Sequence, residues 1–204
     1  MKKQLLKTAA LSALLATGMS GGALAEAATP GLYVSLGAGM NWLDDAESGG
    51  QTTSFDEGFI INGALGYDSG DISEMGKYRL EAEISWSEND TDNVSAGGVT
   101  LNAGGEVEQF GFMVNGYWDF LPGERLRPYV GIGLGLTDLD QTLTVGGLTA
   151  SADGTEFTYR GALGASYALD ANWAIDLGYR YTVVNADNDD AENHSVLTSL
   201  RYKF

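Results

Sequence analysis

Few residues in this chain have a type and spacing that invite chemistry. His194 is the only histidine and Ser195 follows it directly, so a base and a nucleophile stand side by side in the sequence. Neighbouring side chains on a strand point to opposite faces, and the stretch around 194–195 alternates like a strand. The two are therefore poorly placed to exchange a proton. A second candidate is "DNDDAEN" at 187–193, where Asp187, Asp189, Asp190 and Glu192 offer the hard oxygen ligands that Ca²⁺ or Mg²⁺ favour. No EF-hand pattern surrounds them, so such a site would be irregular and weak; the alternative is a solvated loop kept soluble by its charge. The glycine runs "GAG" (37–39) and "GIGLG" (131–135) do not match the phosphate-binding G-x-G-x-x-G at a strand-to-helix junction. They read as small residues on an inner face or as relief of strand curvature. No catalytic residue and no cofactor is expected.

These residues need elements to position them. Lys2, Lys3 and Lys7, the apolar run from Ala9 to Met19 and the small-x-small Ala23-Leu24-Ala25 form a secretory signal peptide over 1–25. The barrel domain is then 26–204, with Glu26 the expected first mature residue and a cut after Ala27 as the alternative. No cysteine is present, which excludes lipidation at the cut and any disulfide. Removing the three lysines takes the formal charge from −17 to −20, the wrong sign for a nucleic-acid binder that leans on phosphate contacts. After the signal no apolar stretch is long enough for a membrane helix.

The mature chain alternates with period two, giving eight strands near 31–42, 57–67, 77–87, 107–120, 128–138, 156–168, 173–184 and 195–204. Their connections alternate between long polar ones (43–56, 88–106, 139–155 and 185–194) and shorter ones. This predicts an all-β, eight-stranded, antiparallel, up-and-down transmembrane barrel with both termini on the periplasmic side and acidic loops outside. On the third strand Tyr78, Leu80, Ala82, Ile84 and Trp86 oppose Arg79, Glu81, Glu83, Ser85 and Ser87. The apolar face is expected to meet lipid. Trp42, Trp86, Trp118, Trp173 and Tyr202 lie on apolar faces near strand ends, as aromatic girdles require. Inward by phase are Arg79, Glu81, Glu83, Asp119, Arg160, Asp176, Arg180, Arg201 and Lys203. The expectation is a charge network filling the lumen, with Glu81 and Glu83 paired to arginines across it.

The segments "RLEAEISW" (79–86), "RPYVGIGLGL" (127–136), "NWAIDLGYRY" (172–181) and "HSVLTSLRYKF" (194–204) resemble the recurring strands of the eight-stranded outer-membrane β-barrel domain family of Gram-negative bacteria. That family includes opacity-type surface proteins and the membrane domain of outer membrane protein A. The likeness covers the whole mature chain and rests on the ordered set of four. It implies location in the cell outer membrane among lipid and lipopolysaccharide. It also implies that Leu200, Tyr202 and Phe204 match the closing signal read by the barrel-assembly machinery. No periplasmic domain is expected after the barrel, so peptidoglycan anchoring is not implied. The deacylases of this architecture place one residue between their serine and histidine, and the adjacent His194 and Ser195 depart from that pattern. The expected function is non-enzymatic, serving envelope integrity and surface presentation, in a monomer. A narrow, weakly cation-selective porin and an adhesin or host-contact protein are the alternatives. The four long connections and their rims hold acids but no lysine or arginine, a crown that concentrates cations; it reads as solvated loops kept soluble by charge, with a divalent layer shared with lipopolysaccharide phosphates as the sharper alternative.

Overall fold

Alternation on a long strand fixes which side chains face which way, but not which strand pairs with which. A computed structural model supplies the pairing for residues 29–48, 51–96, 99–102, 104–145, 148–185 and 190–204. The signal-peptide reading, Glu26, Asp187 and Asp189 lie outside these described residues.

Eight long strands run antiparallel, each paired with the next: β1 (Gly31–Leu43), β4 (Gly58–Asp68), β5 (Lys77–Ala96), β7 (Gly104–Asp119), β8 (Leu126–Val145), β9 (Leu148–Ala168), β10 (Trp173–Asn185) and β11 (Ala191–Lys203). β11 then pairs with β1, from Tyr33 opposite Lys203 to Leu43 opposite Asn193, and the sheet closes into a barrel. Three short strands lie in the long connections. β2 (Ala46–Ser48) and β3 (Gln51–Phe55) form a hairpin, β3 pairs with the far part of β5, and β6 (Val99–Asn102) pairs with its end.

Strands therefore run further than the apolar pattern predicts. That pattern places the third, fifth and sixth at 77–87, 128–138 and 156–168, yet β5 continues to Ala96, β8 to Val145 and β9 starts at Leu148. Much of the long connections is thus paired backbone. Apolar alternation marks where a face meets lipid, whereas ladder hydrogen bonds need only a neighbouring strand, so the pairing outlasts the pattern.

The barrel is inside-out relative to a water-soluble one. Its polar and charged side chains are buried while its large apolar ones are exposed, Leu36 at 73% and Ile132 at 76%. Outward residues on β5 are apolar from Tyr78 to Trp86 and acidic at Glu88, Asp90 and Asp92. The same switch falls between Phe110 and Glu108 on β7 and between Leu136 and Asp138 on β8. From Tyr78 to Trp86 the strand rises roughly 27 Å at ~3.4 Å per residue. Tilted ~40°, that becomes about 20 Å along the barrel axis, close to the ~25 Å apolar band of outer-membrane barrels. No helix in the described residues is long and apolar enough to cross a membrane.

The inside of an eight-stranded barrel is narrow, and backbone without side chains makes room for the large inward groups. A Cβ on Gly66 would sit 2.2 Å from the Tyr33 ring, and one on Gly133 would sit 2.1 Å from Asn115 Oδ1. Tyr33, Met113, Tyr117, Tyr129 and Leu197 share the interior with the charges.

Candidate functional site

Inward phase brings charged side chains of β5, β7, β9, β10 and β11 to the barrel axis, and there they sort into layers. In the middle layer Glu83, 1% exposed, accepts from Arg160 Nη1 at 2.6 Å and Arg180 Nη1 at 3.1 Å through Oε1. Its Oε2 accepts from Asn62 Nδ2 at 3.0 Å and lies 2.9 Å from Arg180 Nη2. One carboxylate is thus shared by guanidinium groups from two strands across the lumen. Arg160 Nε also donates to Thr182 Oγ1 at 2.9 Å.

Nearer the short turns, Arg79 grips Asp119 (0% exposed) through Nε and Nη2 at 2.9–3.0 Å. The fork geometry of this pair is the strongest arginine–carboxylate arrangement. The guanidinium also lies over the Tyr117 and Tyr129 rings, 4.7 and 5.1 Å from their centroids. Arg201 Nη2 donates to Ser166 Oγ at 2.6 Å and Asp176 Oδ1 at 3.3 Å. Two expectations shift. Glu81 does not pair across the lumen; it meets Arg79, two residues along the same strand, at 3.4 Å and accepts from Tyr33 OH at 2.6 Å. Glu81 has a cation two residues away on the same face of β5, whereas Glu83, flanked on that face by Glu81 and Ser85, meets its arginines across the lumen. Lys203 sits at the mouth, part-exposed, and donates to the Thr29 carbonyl at 2.9 Å rather than joining the network.

Sequence reasoning missed two groups. Asp68, Lys77 and Arg127 are buried, with Lys77 bridging Asp68 and Arg127 bridging Asp71. Their place beside the short turns suggests contact with water, yet the inward phase of β4, β5 and β8 reaches them. At the loop end a layer of neutral amides replaces the charges. Asn41 Nδ2 donates to Asn89 Oδ1 at 2.8 Å and Asn193 Oδ1 at 3.3 Å, Gln109 Nε2 donates to the same Asn193 oxygen, and Ser195 Oγ donates to Asn41 Oδ1 at 3.1 Å.

Ser195 thus lies inside the barrel, while His194 lies outside. The imidazole Nδ1 is 2.6 Å from Tyr179 OH and Nε2 is 3.4 Å from Asp44. The Tyr181 ring lies beside it, tilted by 41° with centroids 5.1 Å apart, and its hydroxyl donates to Glu192 Oε2 at 2.6 Å. Serine and histidine are separated by the barrel wall, so they cannot act as nucleophile and base.

Of the expected cation ligands, Asp190 accepts from Asn185 Nδ2 and Glu192 from Tyr181; both are occupied by neighbours. A different acidic group forms where β5 and β7 leave the apolar band. Glu88 faces Glu108 and Asp90 faces Glu106 in register, and carboxylate oxygens of Glu88, Glu106 and Glu108 lie within 4.8 Å of one another. Burial, then a hydrogen bond to Glu106 and the charges of Glu106, Asp90 and Glu108, raise the Glu88 carboxyl above the usual carboxylate range.

Each mouth opens into a cavity. The one at the loop end, about 860 Å³, is lined by acids including Asp44, Asp153, Glu156 and Glu192 beside Leu43, Phe55, Val107 and Leu139. The one at the turn end, about 360 Å³, is lined by lysines and arginines. Of the expected girdle residues, Trp86 meets Phe59 edge-on at 5.1 Å, Trp118 Nε1 donates to the Met75 carbonyl at 3.3 Å, and Trp173 packs on Tyr202 at 4.7 Å. Trp42 sits opposite His194 in register. Leu200 faces outward, and Phe204 lies against Tyr202 at 5.4 Å with its amide donating to the Leu32 carbonyl.

Comparison with known proteins matches residues 11–204 to a family described as "Outer membrane protein beta-barrel domain". Outer membrane protein PagN of Salmonella typhimurium is 30% identical over 182 residues, covering 76% of this chain and 74% of its own. Among solved structures, Neisserial surface protein A superposes with a TM-score of 0.57 at 19% identity, over 85% of this chain and 97% of its own. OprG from Pseudomonas aeruginosa gives 0.56 at 15% identity, over 88% and 98%. At these identities the two structures share the fold with this chain.

Proposed function

We propose that this chain, which belongs to the outer membrane protein β-barrel domain family, is a closed, non-conducting and non-enzymatic barrel that serves envelope integrity and presents its acidic loops at the cell surface. The observation that carries this reading is the middle of the lumen. Glu83 bound by Arg160 and Arg180 places paired side chains across the axis. Charges so confined are held by their partners, because an unpaired one would cost several kcal/mol of desolvation, roughly 3–5 when a buried partner is removed. In this reading both termini lie on the periplasmic side, Trp42 and Trp86 mark the outer interface, and Trp118, Trp173 and Tyr202 mark the inner one. Leu200, Tyr202 and Phe204 present the closing strand to the assembly machinery. The acids beyond Trp86 and Phe110 then stand at the level of lipopolysaccharide headgroups, with divalent cations between carboxylates and phosphates.

A narrow cation pathway is the second reading, favoured by the acid-lined cavity at the loop end. Current through the refolded barrel in a planar bilayer separates the two. The closed reading expects a silent membrane containing folded protein. Steady cation-selective steps that change with Glu83→Gln would overturn it. Hydrolysis of lipid A that is lost in His194→Ala would overturn the non-enzymatic part.

A further inference from the structure

The cavity at the turn end has a charge character opposite to the rest of the molecule. In a chain of formal charge −17, its wall carries Lys77, Arg125, Arg127, Arg201 and Lys203 against Asp68 and Asp170. Two of these cations are spoken for, Lys77 by Asp68 and Arg127 by a two-point grip on Asp71. The other pair that matters is different. Arg201 is 5% exposed, and although Nη2 is engaged by Ser166 and Asp176, its Nη1 is buried without a hydrogen-bond partner. The Lys203 ammonium donates to a neutral carbonyl, that of Thr29, and among the described residues meets no carboxylate. Both side chains come from β11, two residues apart and so on the same face, and both line the same space of about 360 Å³. Ala168 and Ala174, on the adjoining strands β9 and β10, and Ala171, in the turn between them, add only small side chains to the lining.

A buried guanidinium nitrogen lacking an acceptor is costly to leave so, and the group that satisfies it best is a charged oxygen. Guanidinium forks match phosphate and carboxylate oxygens, and ammonium groups add a point charge. We infer that the turn-end mouth of the barrel is a binding site for a phosphate-type oxyanion, recognised by Arg201 and Lys203 and enclosed by the neighbouring arginines. The site goes beyond the proposed function: it stands whether or not the barrel conducts. The anion comes either as a free small molecule or as the headgroup of a phospholipid in the adjoining leaflet, which reaches the cavity past Trp173.

The test is titration of the refolded full barrel with inorganic phosphate, at constant ionic strength against chloride, read by calorimetry and by the side-chain nitrogen resonances of arginine and lysine. Saturable binding is expected, weakened tenfold or more in Arg201→Gln, as loss of a charge-assisted hydrogen bond of ~1.5–3 kcal/mol dictates. Lys203→Gln, outside the buried network, keeps the test alive if the first variant does not fold, and should weaken binding about threefold, the scale of one part-exposed charge. Repeating the titration in nanodiscs with and without phosphatidic acid identifies the source. Competition by the lipid assigns the site to a headgroup, and its absence assigns it to a free anion. No saturable response, a response matched by chloride, or binding unchanged in both variants would overturn the inference.

Discussion

The lumen and the outer wall beyond the apolar band use the same two acidic residue types, Asp and Glu, in opposite arrangements. Inside, Glu83 sits between two arginines and Asp119 is clasped by one, so each negative charge has a positive partner within hydrogen-bond reach. Outside, Glu88 stands opposite Glu108 and Asp90 opposite Glu106, like charge against like. The difference follows from solvent. A carboxylate taken out of water keeps its charge only if something in the protein replaces hydration. One at the surface is screened by water and salt and tolerates a neighbour of the same sign. This is how a strongly acidic chain holds a nearly neutral interior: the excess is placed where water carries its cost.

Removing the shared carboxylate tests this contrast most severely. Glu83→Gln leaves Arg160 and Arg180 buried without a negative partner, and should destabilise the barrel by about 3–5 kcal/mol in urea unfolding from lipid vesicles. A change near zero would mean that the lumen is as well hydrated as the outer wall. Asp119→Asn keeps the shape but strips the charge facing Arg79 and Lys77, and a loss of about 3 kcal/mol is expected from the same measurement. The amide layer is the intermediate case, polar but neutral. Asn89→Ala removes the nearer of the two acceptors of Asn41 Nδ2 and should cost about 1–2 kcal/mol; a cost matching that of Glu83 would show that neutrality is not what sets the scale.

The smallest effect has the opposite sign. Glu88→Gln relieves a like-charge cross-strand contact and should stabilise the barrel at neutral pH by about 0.5 kcal/mol. Because the folded-state pKa of Glu88 is raised, the folded protein binds the proton more tightly than the unfolded chain. Stability therefore falls as pH rises from the usual carboxylate range through the raised value. The advantage of the glutamine variant should accordingly disappear in acid, where Glu88 is protonated in both states. Persistence of the advantage there would mean that charge is not its origin.

The fold is legible wherever one face of a strand has to be apolar. Tyr78, Leu80, Ile84 and Trp86 announce their strand, and with it the inward phase of Arg79, Glu81 and Glu83. Partnership is not legible, because register is a property of two strands and neither carries it alone. Nothing around Arg79 in the sequence points to Asp119, forty residues away. The amide layer of Asn41, Asn89 and Asn193 escapes a sequence reading for a related reason. Neutral polar residues at inward phase look like spacers until they meet, although Asn41 and Asn89 each follow an outward residue by one step, a signal that phase alone could have caught. β2 and β3, AES and QTTSF, carry no apolar alternation, and β6, VTLN, alternates over only four residues, too few to stand out within a polar connection.

The closing seam has a consequence for the order in which the molecule comes together. Seven of the eight contacts around the ring join strands that follow one another along the barrel, whereas β1 and β11 join residues such as Tyr33 and Lys203, 170 positions apart. Hairpins can form as local events; the seam must wait until both ends of a curved sheet arrive together. Loop-closure entropy grows slowly, by ~0.6 kcal/mol per doubling of length, so distance delays the seam more than it weakens it. Until it forms, β1 and β11 both present an open edge of unpaired backbone, the template on which other chains add. How long the sheet stays open, more than the strength of any single contact, then governs whether a copy closes on itself or pairs with its neighbour.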